Sequence, residues 1–216
     1  MTVLKRAIAT ILCLAAGSLM AATEGTDYVV LDKPLPNAQG KLTKVFSYDC
    51  PFCFKYDVGV DPKIVPRVQK ELNLPFNPVH LETKATYGRL ATEFFAMCLL
   101  KDRAAGTDPE DKNALFQKAK SALYFAYHKK GERWSGGEEA FLKTLTDATG
   151  ISAEAFSAAR KDPKVLALCE EWKASYDVAK IQGIPAYVVN GRYLIMTKNI
   201  RGLDQMFDLI KELKEK

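Results

Sequence analysis

The apolar segments at the start of the chain predict three short strands and one interrupted helix. Three segments beyond residue 22 have the length and the β-branched or aromatic content of strands: residues 28–32, 41–48 and 76–81. A helix should begin at Pro51, because proline suits the first helical position, and should break near Gly59 before it resumes at residues 63–72. A helix between two strands is the crossover that parallel neighbours require, so we expect the second and third strands to pair in parallel.

From residue 87 to about residue 182 the apolar residues recur at helical rather than strand spacing, which predicts a block of four or five helices. Acidic side chains are favoured in the first turn of a helix, so Asp108 and Glu110 predict the start of one of them. The chain then returns to two strand-like segments and a final amphipathic helix, at residues 184–189, 193–196 and 203–214.

This order of elements predicts an α/β fold in which a helical domain is inserted into a sheet domain. The sheet domain comprises residues 23–86 and 183–216, and the helical insertion comprises residues 87–182. A chain of about 195 residues beyond residue 22 is long enough for one well-buried core that carries such an insertion.

The first 22 residues have the plan of a secretory signal peptide. Lys5 and Arg6 form a short basic region, residues 7–16 are almost entirely apolar, and small residues follow. We expect cleavage after Ala21 or Ala22. The alternative, a membrane anchor, needs about 18 or more apolar residues, and this stretch stops well short of that length. The sequence therefore predicts an exported protein.

Charge and cysteine content narrow the classes of function. The whole chain has a formal net charge of +5, and removal of Lys5 and Arg6 leaves 29 basic against 26 acidic side chains, a net charge of +3. That excess is too small to indicate nucleic-acid binding, and it fits either acidic client proteins or an ordinary solvated surface. Loss of Cys13 with the signal peptide leaves four cysteines, an even number that favours complete pairing in an exported chain.

Cys50-Pro51-Phe52-Cys53 is a pair of cysteines separated by two residues at the start of the predicted helix. This spacing lets the pair close a disulfide with little backbone movement, and the helix start places Cys50 near unpaired backbone N–H groups. Those groups stabilise a thiolate, the reactive form of cysteine and the better leaving group. A lowered thiol pKa favours the reduced state, so it makes the oxidised pair a stronger oxidant. Cys53, one turn further along, should be more buried and act as the resolving thiol.

Two other interpretations of the pair are a zinc ribbon and a purely structural disulfide. A zinc ribbon needs a second close pair of ligands, and Cys98 and Cys169 lie 71 positions apart, so we expect no metal site. A structural bridge remains open. Ile184-Pro185 argues against it, because an X-Pro step before a strand is similar to the loop that faces the redox pair in thioredoxin-like folds. Taken alone, Pro185 would be an ordinary proline at a strand edge.

Cys98 and Cys169 both fall on apolar faces of the predicted helical insertion. We expect them to form a structural disulfide, because the chain is exported and its cysteine count is even. The alternative is two buried free thiols that behave as small hydrophobic side chains. On the chain-entropy argument, a bridge over this interval contributes roughly 4 kcal/mol to stability.

Residues 45–53 (Val-Phe-Ser-Tyr-Asp-Cys-Pro-Phe-Cys), the helical insertion and Gly183-Ile184-Pro185 together resemble the DsbA family of bacterial periplasmic thiol oxidases. The resemblance spans nearly all of the chain beyond the signal peptide. It implies a thioredoxin-like fold, with Cys50 as the nucleophilic cysteine that clients attack and Cys53 as its partner. It also implies that Pro185 is a cis-proline, which leaves the backbone around Ile184 free to pair with an extended client peptide.

The chain departs from the usual family pattern at two positions. The histidine that commonly lies between the cysteines is replaced by Phe52, which supplies no positive charge, so the helix-end N–H groups must stabilise more of the thiolate. Six residues before Cys50, where a buried acid is common, this chain has Lys44. A cation there would favour the Cys50 thiolate if it lies close, or its side chain extends to solvent. The Pro-Phe dipeptide and the second expected bridge resemble the DsbL branch of the family.

The resemblance implies a periplasmic dithiol oxidase that donates its disulfide to reduced exported proteins. Such an enzyme needs no bound cofactor, and a quinone-linked membrane partner of the DsbB or DsbI kind reoxidises it. We expect a monomer that does not bind nucleic acid. One alternative is a disulfide isomerase or reductase, although the few residues between the cleavage site and Tyr28 leave no room for the dimerisation domain that isomerases carry. The other is a peptide-binding assembly factor in which redox activity is incidental.

Overall fold

A computed structural model describes residues 21–83 and 85–216. The expected signal peptide, apart from its last two residues, lies outside them. The first elements are β1 (Tyr28–Val30), β2 (Leu42–Phe46), α1 (Pro51–Gly59), α2 (Asp61–Leu72) and β3 (Phe76–His80). The helical segment follows with α3 (Gly88–Ala104), α4 (Leu115–Tyr124), a π-helical turn (Phe125–Lys129), α5 (Gly137–Thr149), α6 (Ala153–Ala159), α7 (Pro163–Trp172) and α8 (Ser175–Gln182). The last elements are β4 (Ala186–Val189), β5 (Tyr193–Ile195), a 3-10 turn (Thr197–Asn199) and α9 (Leu203–Lys214).

The five strands form one sheet in the order β1-β5-β4-β2-β3. The expectation of parallel pairing is confirmed: β2 and β3 run parallel, from Leu42 opposite Phe76 to Phe46 opposite His80. The other three neighbouring pairs are antiparallel. Strand β2 lies between β4 and β3, so it is buried along its whole length. The residues that follow its carboxyl end, which include the first cysteine of the motif, therefore leave the sheet from an inner strand.

Each face of the sheet has its own apolar core. Helices α2 and α9 pack together on one face, where Ile64, Leu209 and Ile210 are buried against sheet residues such as Leu42. The helical segment covers the other face, and its side chains share one continuous core with Val45 and other sheet residues. The mixed α/β architecture confirms the fold class that the sequence predicts, a thioredoxin-like sheet with added helices.

The helix after the cysteine pair is interrupted as expected. α1 ends at Gly59, and the N–H group of Val60 donates to Tyr56 O at 2.9 Å. α2 then begins with Asp61 and Pro62, because proline suits the first turn of a new helix but removes a hydrogen bond from the middle of one. The break turns α2 across the sheet, and it places Asp61 in the buried layer between the helix and the sheet.

The helical segment differs from the sequence expectation in two ways. It contains six α-helices rather than four or five, since α7 and α8 are separated at Lys173 and Ala174, where no glycine or proline marks a break. The helix expected to open at Asp108 begins at Leu115 instead. The carboxylate of Asp102, at the end of α3, accepts from the N–H groups of Leu115 and Phe116 at 2.9 and 2.8 Å. That distant cap fixes the helix start, and residues 108–114 form turns.

The last helix matches the predicted range of 203–214, and its apolar side faces the sheet. Strand β4 starts at Ala186, just after Pro185, whose missing N–H group removes a donor from the ladder. Within the part of the chain that the structure describes, no helix has the length and the apolar character needed to cross a bilayer.

Candidate active site

Cys50 is the N-cap residue of α1, four residues after the buried end of β2. Its Sγ atom accepts from the backbone N–H of Cys53 at 3.1 Å, and Pro51 occupies the first turn. Cys50 is partly exposed, whereas Cys53 is completely buried. Both are thiols in this structure. The fold therefore presents one sulfur to solvent and holds the other beneath it.

The surroundings shift the pKa values of the two thiols in opposite directions. The hydrogen bond from the Cys53 thiol and the N–H groups of Cys53 and Phe52 lower the pKa of Cys50 to about 7, although burial and the nearby Asp49 carboxylate oppose the shift. Burial raises the pKa of Cys53 far above its usual range. Near neutral pH the reduced pair thus holds its proton on Cys53 and its negative charge on Cys50.

The loop before β4 meets the cysteine pair from the opposite side. The Ile184–Pro185 peptide bond is cis, the conformation that the family resemblance implies. The carbonyl oxygen of Ile184 lies 3.5 Å from Cys50 Sγ and accepts from the thiol when Cys50 is protonated, while Pro185 is buried. This contact brings together two motifs that are 134 residues apart in the sequence.

Phe52 projects away from the protein. Its side chain is 61% exposed, and Lys55 Nζ lies 5.3 Å from the centre of its ring. An exposed phenyl ring donates no hydrogen bond to Cys50, so the backbone and Cys53 supply the polar contacts of that sulfur. The ring instead adds an apolar surface beside the reactive cysteine.

Lys44 does not extend to solvent, so that alternative is wrong. Its side chain is 2% exposed and forms an ion pair with Asp61, which is completely buried and also accepts from the hydroxyl of Tyr187. The charge of Lys44 acts on Cys53, whose pKa it lowers against the larger effect of burial. Asp61 and Tyr187 were missed by sequence reasoning, because no local pattern relates a strand lysine to an acid after a helix break.

A second buried cation lies between α1 and α4. Lys120 Nζ is 2.7 Å from Asp57 Oδ1 and 2.8 Å from Glu110 Oε1. Although burial opposes it, these two carboxylates hold the pKa of Lys120 above its usual range. The hydroxyl of Tyr124, on the same helix, is buried and has no hydrogen-bond partner among residues 21–83 and 85–216. The layer beneath the cysteine pair is therefore rich in paired charges.

A chain of neutral hydrogen-bonding groups holds the segment between β2 and Cys50. His80 Nδ1 lies 2.8 Å from Thr92 Oγ1, whose own hydrogen is donated to Gly88 O, so Nδ1 carries the proton and Nε2 faces the Tyr48 N–H at 3.4 Å. Burial lowers the pKa of His80 to about 3, which keeps the ring neutral. These contacts give His80 a structural role.

Asp49 lies immediately before the reactive cysteine and is partly buried. Ser47 Oγ donates to Asp49 Oδ1 at 2.5 Å, and Thr83 Oγ1 donates to Asp49 Oδ2 at 2.9 Å. The two hydroxyls fix the carboxylate in one place beside Cys50. The sequence analysis gave Asp49 no role, although its position directly before Cys50 could have indicated one.

His128 contacts the same segment from the π-helical turn. Its Nε2 lies 2.9 Å from Tyr48 O, and its ring stacks on Phe54 with 5.0 Å between the ring centres. Burial lowers the pKa of His128 below its usual range, so the ring is neutral at neutral pH and Nε2 donates to the carbonyl. The helical segment thereby supports the backbone that leads into Cys50.

Two further features of the molecule bear on function. Cys98 on α3 and Cys169 on α7 are buried thiols in one core cluster, on helices that pack together. A cavity of about 240 Å³ lies between the end of α1 and the start of α9, lined by Tyr56, Val60, Leu203 and Met206 among others. Among the described residues, no three His, Cys, Asp or Glu side chains come together in a way that could hold a metal ion.

Comparison with known proteins identifies relatives over almost the whole chain. The family of DSBA-like thioredoxin domains matches residues 105–214. The thiol:disulfide interchange protein DsbL of Escherichia coli O6:H1 (strain CFT073) is 57% identical over 91% of this chain and 88% of its own length. The protein DsbA of Pseudomonas aeruginosa is 26% identical over 90% of this chain and 85% of its own length.

Solved structures agree with this relationship. The crystal structure of DsbL from Salmonella enterica serovar Typhimurium superposes with a TM-score of 0.83 at 54% identity, and it covers 91% of this chain and 99% of that one. A crystal structure of reduced DsbL gives a TM-score of 0.82 at 55% identity, over 90% of this chain and all of that one. The chain therefore belongs to the DsbA family of thiol:disulfide oxidoreductases, within its DsbL branch.

Proposed function

We propose that this enzyme works as a dithiol oxidase, which donates a Cys50–Cys53 disulfide to reduced client proteins. The observation that carries the proposal is the unequal acidity of the two sulfurs. A Cys50 pKa of about 7 makes Cys50 a good leaving group, and the raised pKa of Cys53 keeps that buried thiol protonated. The lowered pKa of Cys50 favours the reduced enzyme, so it favours oxidation of the client.

In the first step a client thiolate attacks Sγ of Cys50 in the oxidised enzyme. A bond forms between the client sulfur and Cys50, the Cys50–Cys53 bond breaks, and its electron pair goes to Cys53 Sγ. Cys53 then takes up a proton, as its raised pKa favours. Attack at Cys50 rather than Cys53 follows from exposure, because Cys53 is completely buried.

In the second step another client thiolate attacks the client sulfur of this mixed disulfide. The client disulfide forms, and Cys50 leaves as a thiolate that accepts from the N–H of Cys53. Two electrons have then passed from the client to the cysteine pair. The contact between Cys50 and the Ile184 carbonyl places the backbone of the cis-proline loop beside the reacting sulfur, where an extended client segment can pair with it.

Each turnover leaves the enzyme reduced, so an oxidant must restore the disulfide. We assign this role to a quinone-linked membrane partner of the DsbB or DsbI kind, without a cofactor bound to the enzyme itself. The apolar cavity at Tyr56, Val60 and Leu203 lies at the far end of α1 from Cys50 and offers a site for part of that partner. A variant with Leu203→Asp should keep its rate with small thiols but be reoxidised more slowly by membranes.

The direction of exchange distinguishes the oxidase from its alternatives. Folding of a reduced client in glutathione buffer should be much faster with the native enzyme than with Cys50→Ala. Equal acceleration by both proteins would favour a peptide-binding factor with incidental redox activity. The reduction potential of the Cys50–Cys53 couple, measured against glutathione, separates an oxidase from an isomerase or reductase, because only an oxidase needs a couple more oxidising than its surroundings.

We also propose that the protein is exported and that the signal peptide is cleaved after Ala21. The backbone N of Ala22 lies 3.0 and 2.8 Å from the two carboxylate oxygens of Glu212 on α9. Cleavage after Ala21 turns this N–H into an ammonium group, which forms an ion pair with that carboxylate. N-terminal sequencing of the periplasmic protein should give Ala22, and Glu212→Gln should lower its melting temperature. A first residue of Thr23 would contradict the assignment.

Two structural expectations remain proposals. Cys98 and Cys169 form a disulfide in the exported protein, supported by their burial on the two packed helices α3 and α7. Peptide mass mapping without reduction should find that bridge. The thioredoxin-like domain comprises residues 23–86 and 183–216, with residues 87–182 as the helical insertion. Limited proteolysis at this boundary tests the division.

A further inference from the structure

The carboxylate of Asp49 is fixed beside the sulfur at which exchange begins. It belongs to the residue directly before Cys50, and its two oxygens accept from Ser47 Oγ and Thr83 Oγ1 at 2.5 and 2.9 Å. Both donors are neutral, so the carboxylate is held in place without losing its charge. It is also partly buried, which weakens solvent screening of that charge.

We propose that Asp49 is a specificity-determining residue, which slows attack by thiols that carry negative charge and favours client cysteines flanked by basic residues. The inference rests on the proposed exchange at Cys50. The attacking group is a thiolate that must approach Cys50 Sγ, and the charges next to it on the client approach Asp49 at the same time. Each negative charge on the client is repelled and each positive charge is attracted.

The size of the effect follows from Coulomb's law at a partly exposed site. One unit of client charge close to a fixed carboxylate changes the rate by about three-fold at low ionic strength, and the change falls as salt screens it. The Asp49 charge also opposes the Cys50 thiolate, but that influence is the same for every attacking thiol. The ratio of the rates for thiols of different charge therefore reports only the effect of Asp49 on specificity.

Other charged side chains near the motif complicate the absolute rates. Lys55 lies over the ring of Phe52, and Lys129 lies over the ring of Phe54. His128 also lies close enough to feel the Asp49 charge, which raises its pKa against the larger effect of burial. The informative quantity is consequently the change between the native enzyme and a variant that lacks only the Asp49 charge.

The experiment uses three small thiols that differ in charge: glutathione (anionic), 2-mercaptoethanol (neutral) and cysteamine (cationic). Each reacts with the oxidised enzyme at equal thiolate concentration and low ionic strength, and acid quenching with mass spectrometry follows the loss of the Cys50–Cys53 disulfide. In every case a bond forms from the thiol to Cys50, and the electron pair of the broken bond goes to Cys53, which is protonated. Asp49→Asn keeps the size of the side chain and one of its two acceptor oxygens, and Asp49→Ser is a second variant should the first not fold.

We expect Asp49→Asn to raise the rate ratio of glutathione to cysteamine by on the order of ten-fold, since the two thiols differ by two units of charge. The change should shrink in 0.5 M salt, a concentration of roughly the range in which such interactions are largely screened. The matched control Asp208→Asn, which removes an exposed acid on α9, should leave the ratio unchanged.

An unchanged ratio in both Asp49 variants, with all three thiols still reacting, would overturn the inference and leave the oxidase proposal intact. Failure of every thiol to reduce the native enzyme would instead overturn the oxidase proposal.

Discussion

The two sulfurs of the motif are one helical turn apart, yet their surroundings are opposite in kind. Around Cys50 the structure places backbone N–H groups, the Ile184 carbonyl and the hydroxyl-bound carboxylate of Asp49, all close to solvent. Beneath Cys53 it places fully buried charges, the pair of Lys44 and Asp61. The exposed side is built from hydrogen bonds close to solvent, whereas the buried side depends on ions that have no access to water.

The difference between the two surroundings explains how one fold gives two neighbouring thiols unequal pKa values. A helix end and a neighbouring thiol are sufficient to hold negative charge on Cys50. Burial alone is sufficient to keep Cys53 protonated, since it outweighs the nearby cation of Lys44. Substitutions on the exposed side should therefore change reactivity, and substitutions on the buried side should first change stability.

The largest expected effect is the loss of stability caused by Lys44→Met. Removal of the cation leaves the Asp61 carboxylate buried and without its ionic partner, which costs about 3 to 5 kcal/mol of unfolding free energy. Tyr187 still donates to Asp61, but one hydrogen bond does not replace the charge. Urea unfolding of the oxidised protein measures the loss.

The double variant Lys44→Met, Asp61→Leu is the matched control for this prediction. Replacing both members of a buried ion pair by apolar side chains removes the unpaired charge, so most of the lost stability should return. If the double variant is as unstable as Lys44→Met, the cost arises from packing around Lys44 rather than from the charge left on Asp61. The contrast between the two sides would then lose its electrostatic basis.

The next effect is a pH dependence of the difference in stability between the reduced and oxidised forms. The pKa of Cys50 is about 7 in the fold and about 8.5 in an unfolded chain, so its contribution is lost as pH falls through 7 and grows as pH rises toward 8.5. Cys53 has a raised pKa and acts in the opposite sense, since its contribution is lost as pH rises above about 8.5. The reduced form should gain about 1 kcal/mol on the oxidised form between pH 6 and pH 8, and then lose it above about pH 9.

Thermal or urea unfolding of both redox forms across this pH range provides the measurement, because titrations other than those of the two thiols cancel in the difference. The unfolding free energy of reduced Cys50→Ser should not show the gain that the reduced native protein shows between pH 6 and pH 8, since serine does not titrate there. A difference between redox forms that stays flat over that interval would mean that the exposed side does not stabilise the thiolate.

The sequence predicts well those features that depend on residues close together in the chain. The Cys50–Cys53 motif, the helix that starts at Pro51 and the strand after Pro185 all follow from local rules, and the chain places them together. The parallel pairing of β2 and β3 also follows, because a helix between adjacent strands leaves few other connections.

The partners of Lys44 and of α4 could not be predicted in the same way. Asp61 reaches Lys44 only because the chain turns between α1 and α2, and the angle of that turn is set by packing against the sheet. Asp102 caps α4 from the end of another helix, so the acidic residues at 108–111 were misleading about where that helix begins. Long-range contacts of this kind depend on the finished fold rather than on any local pattern.

The smallest effect concerns the hydroxyl of Tyr124, which lies on the buried side and has no hydrogen-bond partner within residues 21–83 and 85–216. Burial raises its pKa well above the usual range, so it stays neutral and takes no part in the charge pairing of that layer. Removing an unsatisfied buried hydroxyl is neutral or stabilising, so Tyr124→Phe should change the unfolding free energy by about 0 to +1 kcal/mol. Tyr187→Phe is the matched control, because its hydroxyl donates to Asp61 and its loss should destabilise the protein by about 1 to 3 kcal/mol. Were Tyr124→Phe to cost as much as Tyr187→Phe, the Tyr124 hydroxyl would have to bind an internal water, and the buried side would then be a hydrated network rather than a dry set of ion pairs.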